Sequence, residues 1–181
     1  MNKLIFIALL IFSTVSFPKW VYADDVIFDK QYQYTYDRNS DTYKNEDIDT
    51  YESSAINTLI SSGELFSVAE YISEYGENPR LFQANFRTAL VDLNNNGTNE
   101  VIVHVDAMLE CSVGGNCPYY ILEAINNEWK IIDINIRGYG EIKLYPTMEN
   151  GYYPIKYIGR FKDEYKYTYD SGSYSGRHIN N

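Results

Sequence analysis

The stretch DLNNNGTNE, Asp92 to Glu100, carries the residue types that hold a hard cation. Asp92, Asn94, Asn96, Thr98 and Glu100 fall on alternate positions, with Gly97 set among them. Calcium takes six to eight oxygens, and a short loop can supply them from alternate side chains, one backbone carbonyl and a sharp turn. On this reading Asp92, Asn94 and Asn96 give side-chain oxygens, Thr98 its carbonyl and Glu100 a closing carboxylate. Only two of these groups are carboxylates, so such a site would be weak, with a dissociation constant of about 10⁻⁴ to 10⁻³ M. The same residues also make a turn without any metal. Asn-Gly between apolar runs is a strong hairpin signal, and Asp and Asn favour turns by bonding to their own backbone. Both alternatives stand: no cofactor, or calcium.

A second chemical feature is the pair Cys111 and Cys117 in CSVGGNC, the two cysteines of the chain. Two thiols with no His nearby are too few for a zinc site. A redox-active pair normally has the closer C-x-x-C spacing. The spacing therefore predicts a structural disulfide, with Gly114 and Gly115 letting the chain turn back. The closed loop is small, so its stabilisation is only about 2 kcal/mol. Its main effect is to fix the shape of a loop.

Catalytic patterns are missing. The two histidines are His104, within a strand-like run, and His178, near the end. No G-x-S-x-G elbow, H-E-x-x-H motif or phosphate-binding glycine loop occurs. With 25 acids in the chain, chance alone puts some carboxylates close together, so paired acids carry no signal. The expectation is a protein that is not an enzyme, with no catalytic residues.

Several elements must position these features. Residues 1–23 have the layout of a secretory signal peptide: Lys3, an apolar run from Leu4 to Phe17, then Val21-Tyr22-Ala23. That predicts an exported chain, periplasmic or secreted, not embedded in a membrane after cleavage. Tyr32, Tyr34 and Tyr36 alternate as in a strand, and Tyr165, Tyr167 and Tyr169 echo them. Asp49 with Glu52 forms a capping pair ahead of the stripe Ala55, Ile56, Leu59 and Ile60, which predicts a helix ending at Gly63. Leu65, Val68, Ala69 and Ile72 predict a second helix ending at Gly76. From Phe86 onward the pattern is strands: Arg87 to Asp92, Val101 to Val105, Tyr119 to Ala124, Trp129 to Ile136, Ile142 to Tyr145 and Tyr153 to Ile158. Asn126-Asn127 fits a hairpin turn, and Gly138-Tyr139-Gly140 breaks the sheet. The expected fold is α+β, with two N-terminal helices packed on a mainly antiparallel sheet. One domain is expected over 24–170, with a flexible tail at 171–181.

The loop at Asp92 matches the first half of an EF-hand but fails in the second, where Val103 replaces the closing Glu and the flanks read as strands. It is closer to the strand-flanked calcium loop of integrin-type propeller repeats. With DLNNNGTNE, CSVGGNC and LYPTMENGYY together, Leu90 to Ile158 resembles a group of small exported bacterial proteins of unassigned function. That resemblance implies architecture and a candidate calcium loop, not an activity.

Composition narrows the partners. A net charge of −10 argues against nucleic acid, whose phosphates would be repelled. Tyrosine is a low-entropy contact residue, and the chain has 19 of them. They serve either a core or a binding surface. The readings are an exported domain binding a protein or glycan in the cell envelope, an inhibitor or immunity protein against a basic cell-wall hydrolase, or a weak calcium-binding protein.

Overall fold

The computed structural model describes residues 25–40, 42–45, 50–78 and 82–179. The expected signal peptide at 1–23 and the Asp49 cap lie outside these residues. Ten strands and two helices are described. β1 (Lys30–Asp37) and β2 (Thr42–Lys44) come first, then α1 (Tyr51–Ser61) and α2 (Val68–Tyr75). β3 (Gln83–Val91), β4 (Glu100–Ala107), β5 (Tyr119–Ile125) and β6 (Glu128–Ile134) follow. β7 (Glu141–Leu144), β8 (Ile155–Ile158), β9 (Glu164–Asp170) and β10 (Ser173–His178) complete the chain.

This corrects the α+β expectation. The protein is mostly β, and its two short helices sit in the middle, after a strand pair. The N-terminal tyrosines set that order. Tyr34 is fully buried and packs edge-on against Phe86 at 5.0 Å, so β1 is a core strand paired to β3, not a lead-in to the helices. The helix starts differ too. Thr50 caps α1 in a reciprocal box with Ser53, and Ser67 caps α2, leaving Leu65 outside it. No helix among the described residues is long and apolar enough to cross a membrane.

All ten strands form one sheet, in the order β2-β1-β3-β4-β5-β6-β10-β9-β8-β7. Neighbours are antiparallel except β6 and β10, which run parallel through Ser173 and Tyr174. The last strand is therefore the hinge of the sheet, and this corrects the expected flexible tail: Ser173–His178 are ordered by β9, and Tyr174 is buried. The two ends of the sheet also approach each other. Val26, just ahead of β1, donates its N–H to Ile142 O of β7 at 2.9 Å, and Asp25 pairs with Lys143.

Two cores result, one on each face of the central strands. Val101, Val103 and Val105 of β4 pack with Tyr32, Tyr34, Phe86 and the α1 residues Ala55, Ile56 and Leu59. Ile102, from the opposite face, packs with Ile121, Ile132, Ile155, Tyr157, Tyr167 and Tyr174 of the curled second half. A strand covered on both faces reads as a near-continuous apolar run, as EVIVHV does. The β5–β6 hairpin turns at Asn126 and Asn127, both with positive φ, 52° and 65°. That is the backbone a two-residue hairpin needs.

Candidate functional site

The Asp92–Glu100 segment links β3 to β4, and Val91 stands opposite Glu100 in the ladder. Its polar groups turn inward on the loop itself. The two Asp92 carboxylate oxygens accept from the Asn96 and Gly97 N–H groups, both at 3.0 Å. Asn96 Oδ1 accepts from Thr98 N at 2.7 Å. Asn94 Oδ1 accepts from Asn96 N, while its Nδ2 donates to Glu100 Oε1 and to Glu123 Oε1, each at 2.8 Å. Glu100 Oε2 takes the Leu93 N–H at 2.6 Å. Beyond the loop, Tyr152 OH donates to Glu123 and Tyr153 N to Leu93 O, which ties the segment to the second half of the sheet.

Calcium needs oxygens converging on one point. Here the Asn94 Nδ2 is directed at Glu100, and the side-chain oxygens of Asp92, Asn94 and Asn96 accept backbone N–H groups. As placed, the residues form a self-bonded turn. Glu100 is 1% exposed. Burial, then the neighbouring Glu123 and Asp92 charges, raise its carboxyl to about 7 against the opposing Leu93 hydrogen bond.

A different site lies at the other end of the sheet. A cleft of about 850 Å³ opens beside the disulfide loop, where Cys111 and Cys117 are joined as expected. Gly114 and Asn116 of that loop form one wall. Asn135, Arg137 and Tyr139, on the segment leaving β6, form the floor. The opposite wall comes from Tyr157 of β8, the turn Gly159–Asp163, and Tyr165 and Tyr167 of β9. Phe161, at the tip of that turn, is 88% exposed.

The rings are held from behind. Tyr157 OH donates to Arg137 O at 3.3 Å and Tyr167 OH to Asn135 O at 3.1 Å. Burial pushes both phenols above their usual range, so they remain donors. Tyr139 OH points to Cys117 Sγ at 3.2 Å. His104 is 2% exposed, and its Nε2 meets Gly138 O at 3.2 Å, so that nitrogen carries the proton. Burial holds the His104 imidazole below its ordinary pKa, in the neutral form. It braces the cleft floor and has no access to it as a catalyst. His178 lies on β10 with its ring 5.0 Å from that of Tyr165.

Gly138-Tyr139-Gly140 is more than a sheet breaker. A Cβ on Gly140 would fall 2.4 Å from Ile158 O and from Tyr157 Cε2, and Gly138 has φ +137° with Tyr157 OH 2.3 Å from its Cβ position. Both positions need glycine so that Tyr157 can lie flat on the backbone.

Sequence reading found the disulfide loop and the Tyr165/Tyr167 alternation but not the cleft they share. Arg137, Arg160 and Phe161 gave no signal, since isolated charges and a lone Phe are ordinary on a surface. No protein family, curated protein or solved structure matches the chain, so the site is read from its own geometry.

Proposed function

We propose that this chain is an exported, non-enzymatic binding domain of the cell envelope, and that the cleft beside the disulfide loop takes a glycan. The observation that carries this reading is the lining. Four tyrosines line the cleft, Tyr139 and Tyr165 the more open and Tyr157 and Tyr167 nearly buried behind them, with asparagine amides and arginine guanidinium groups, and no aliphatic side chain lines it. Pyranose rings present C–H faces that pack on aromatic rings, and their hydroxyls need donors and acceptors of this kind. A peptide anchored by apolar side chains would call for an aliphatic pocket instead.

The same lining favours binding over hydrolysis. Glycoside cleavage uses two carboxyl groups about 5 to 9.5 Å apart, and Asp163 is the one carboxylate among the residues lining the cleft. The braced tyrosines make the site rigid, and a preformed site binds with less ordering loss.

Isothermal titration of the exported chain against oligosaccharides released from envelope material tests the proposal. Saturable binding that Phe161→Ala weakens at least tenfold with an unchanged melting temperature, and that Tyr165→Ala weakens in the folded fraction, is the expected result. Binding that survives Tyr165→Ala and Phe161→Ala unaltered places the ligand elsewhere, and no binding to any oligosaccharide overturns the reading.

A further inference from the structure

The charges around the cleft run against those of the whole chain. There are 25 acids and 15 Lys and Arg residues, so acids are in excess wherever a cation wants a partner. The lysines of the three strands around the cleft are paired: Lys143 with Asp25, Lys156 with Glu164 and Lys166 with Glu149. The two arginines that line the cleft are not. Arg137 and Arg160 make no ion pair among the described residues, although both belong to the same half of the sheet. Arg137 commits one N–H, donated to Glu110 O at 3.0 Å, out of the five a guanidinium carries. Arg160 donates no side-chain hydrogen bond in the described structure, and sits beside the exposed Phe161.

Asp163 is the counterweight, and it lines the same cleft. Its carboxyl lies against the Gly159 Cα, where a Cβ would be 2.6 Å from Oδ1. It makes no ion pair with either arginine.

We propose that the cleft recognises an acidic saccharide, one bearing a carboxylate or phosphate group that Arg137 and Arg160 engage while the tyrosines hold the ring. Guanidinium groups match the planar, two-oxygen geometry of such anions, and hydrogen bonds between ionised partners are about twice as strong as neutral ones. The inference rests on the glycan reading above and names the ligand class of that same cleft.

The test uses a hexuronic acid oligomer, its methyl ester of equal length, and a phosphorylated oligosaccharide, each titrated into the full exported chain. The carboxylate form should bind at least about tenfold tighter than the ester, and its affinity should fall with added salt. Arg160→Gln should remove most of that difference without moving the melting temperature. Asp163→Asn should act in the opposite direction and tighten the acidic ligand severalfold. If the phosphorylated sugar alone gains over neutral ones, the anion is phosphate; if the uronate alone gains, it is carboxylate. Equal affinity for the acid, its ester and the phosphorylated sugar overturns this inference and leaves the glycan reading standing. Failure of all three probes to bind counts against both.

Discussion

The turn at Asp92–Glu100 and the cleft at the disulfide loop are both polar, and both join strand ends. They differ in where their polar groups point. In the turn, Asp92, Asn94, Asn96 and Glu100 bond to the loop's own backbone and to one another. In the cleft, the hydroxyls of Tyr157 and Tyr167 are bonded from behind, but ring faces, asparagine amides and two guanidinium groups face outward. Buried polar groups must find partners. A cluster that finds them within the chain is part of the fold, while the exposed groups of the cleft remain accessible from outside.

Substitutions can break this contrast, and the largest effect should come from the cleft's backbone support. Gly140→Ala forces a methyl against Ile158 O and the Tyr157 ring, an overpacking that costs about 1–3 kcal/mol. Urea denaturation should show that loss, and glycan binding should fall with it because Tyr157 is displaced. Unaltered stability would mean that the ring is not held as described.

In the turn, Asn94→Ala removes the amide shared by Glu100 and Glu123. Two buried carboxyl groups then lose a donor, for about 2 kcal/mol of stability. Glycan binding by the folded fraction should not change, since Asn94 does not line the cleft. Lost binding in the folded state would join the two regions into one site.

Glu100 gives the turn a pH signature. Its folded carboxyl titrates at about 7, above the ordinary value, so the folded state holds a proton that the unfolded state has released. Stability from this group is therefore full below pH 4.5, declines as pH rises and is lost above about 7, over a range on the order of 3 kcal/mol. Glu100→Gln should flatten that slope in denaturation curves collected from pH 5 to 8. A slope unchanged in the variant would assign the titration to another group.

Smaller still is the expected effect of Phe161→Ala. The side chain is exposed, so stability should stay within about 0.5 kcal/mol. Glycan affinity should drop at least tenfold, which sharpens the difference between a residue of the fold and one of the site. Finally, melting temperatures in millimolar calcium and in chelator should coincide, because the turn's oxygens are bonded to its backbone. A calcium-dependent rise that Asp92→Ala abolishes would show that the loop rearranges into an ion site.

Much of the strand content was legible, for local reasons. Val101, Val103 and Val105 alternate, and Asn126-Asn127 suit a hairpin, so β4, β5 and β6 could be placed. The helices were legible as stripes, but their weight in the fold was not, because a stripe does not say how many strands surround it. Ser173–His178 read as a tail because SYSGRH is polar, with no apolar run of its own. It is ordered by pairing with β9 and with β6, which lies about 40 residues earlier in the chain. The cleft was illegible for the same reason: its walls come from three separate stretches, 114–116, 135–139 and 157–167.

What the sequence determined by itself is local chemistry: the turn-forming Asn and Gly, the alternation that makes strands, and a cysteine spacing that closes on itself. Each depends on neighbours within a few residues, where sterics and short hydrogen bonds decide. Only the tertiary structure decided which tyrosines are core and which are surface, that Asn94 bridges two acids, and that Arg137 and Arg160 line a ring-lined cleft with no ion pair among the described residues. Those outcomes depend on which strands meet, and strand pairing couples residues far apart in the chain, so no local pattern records them.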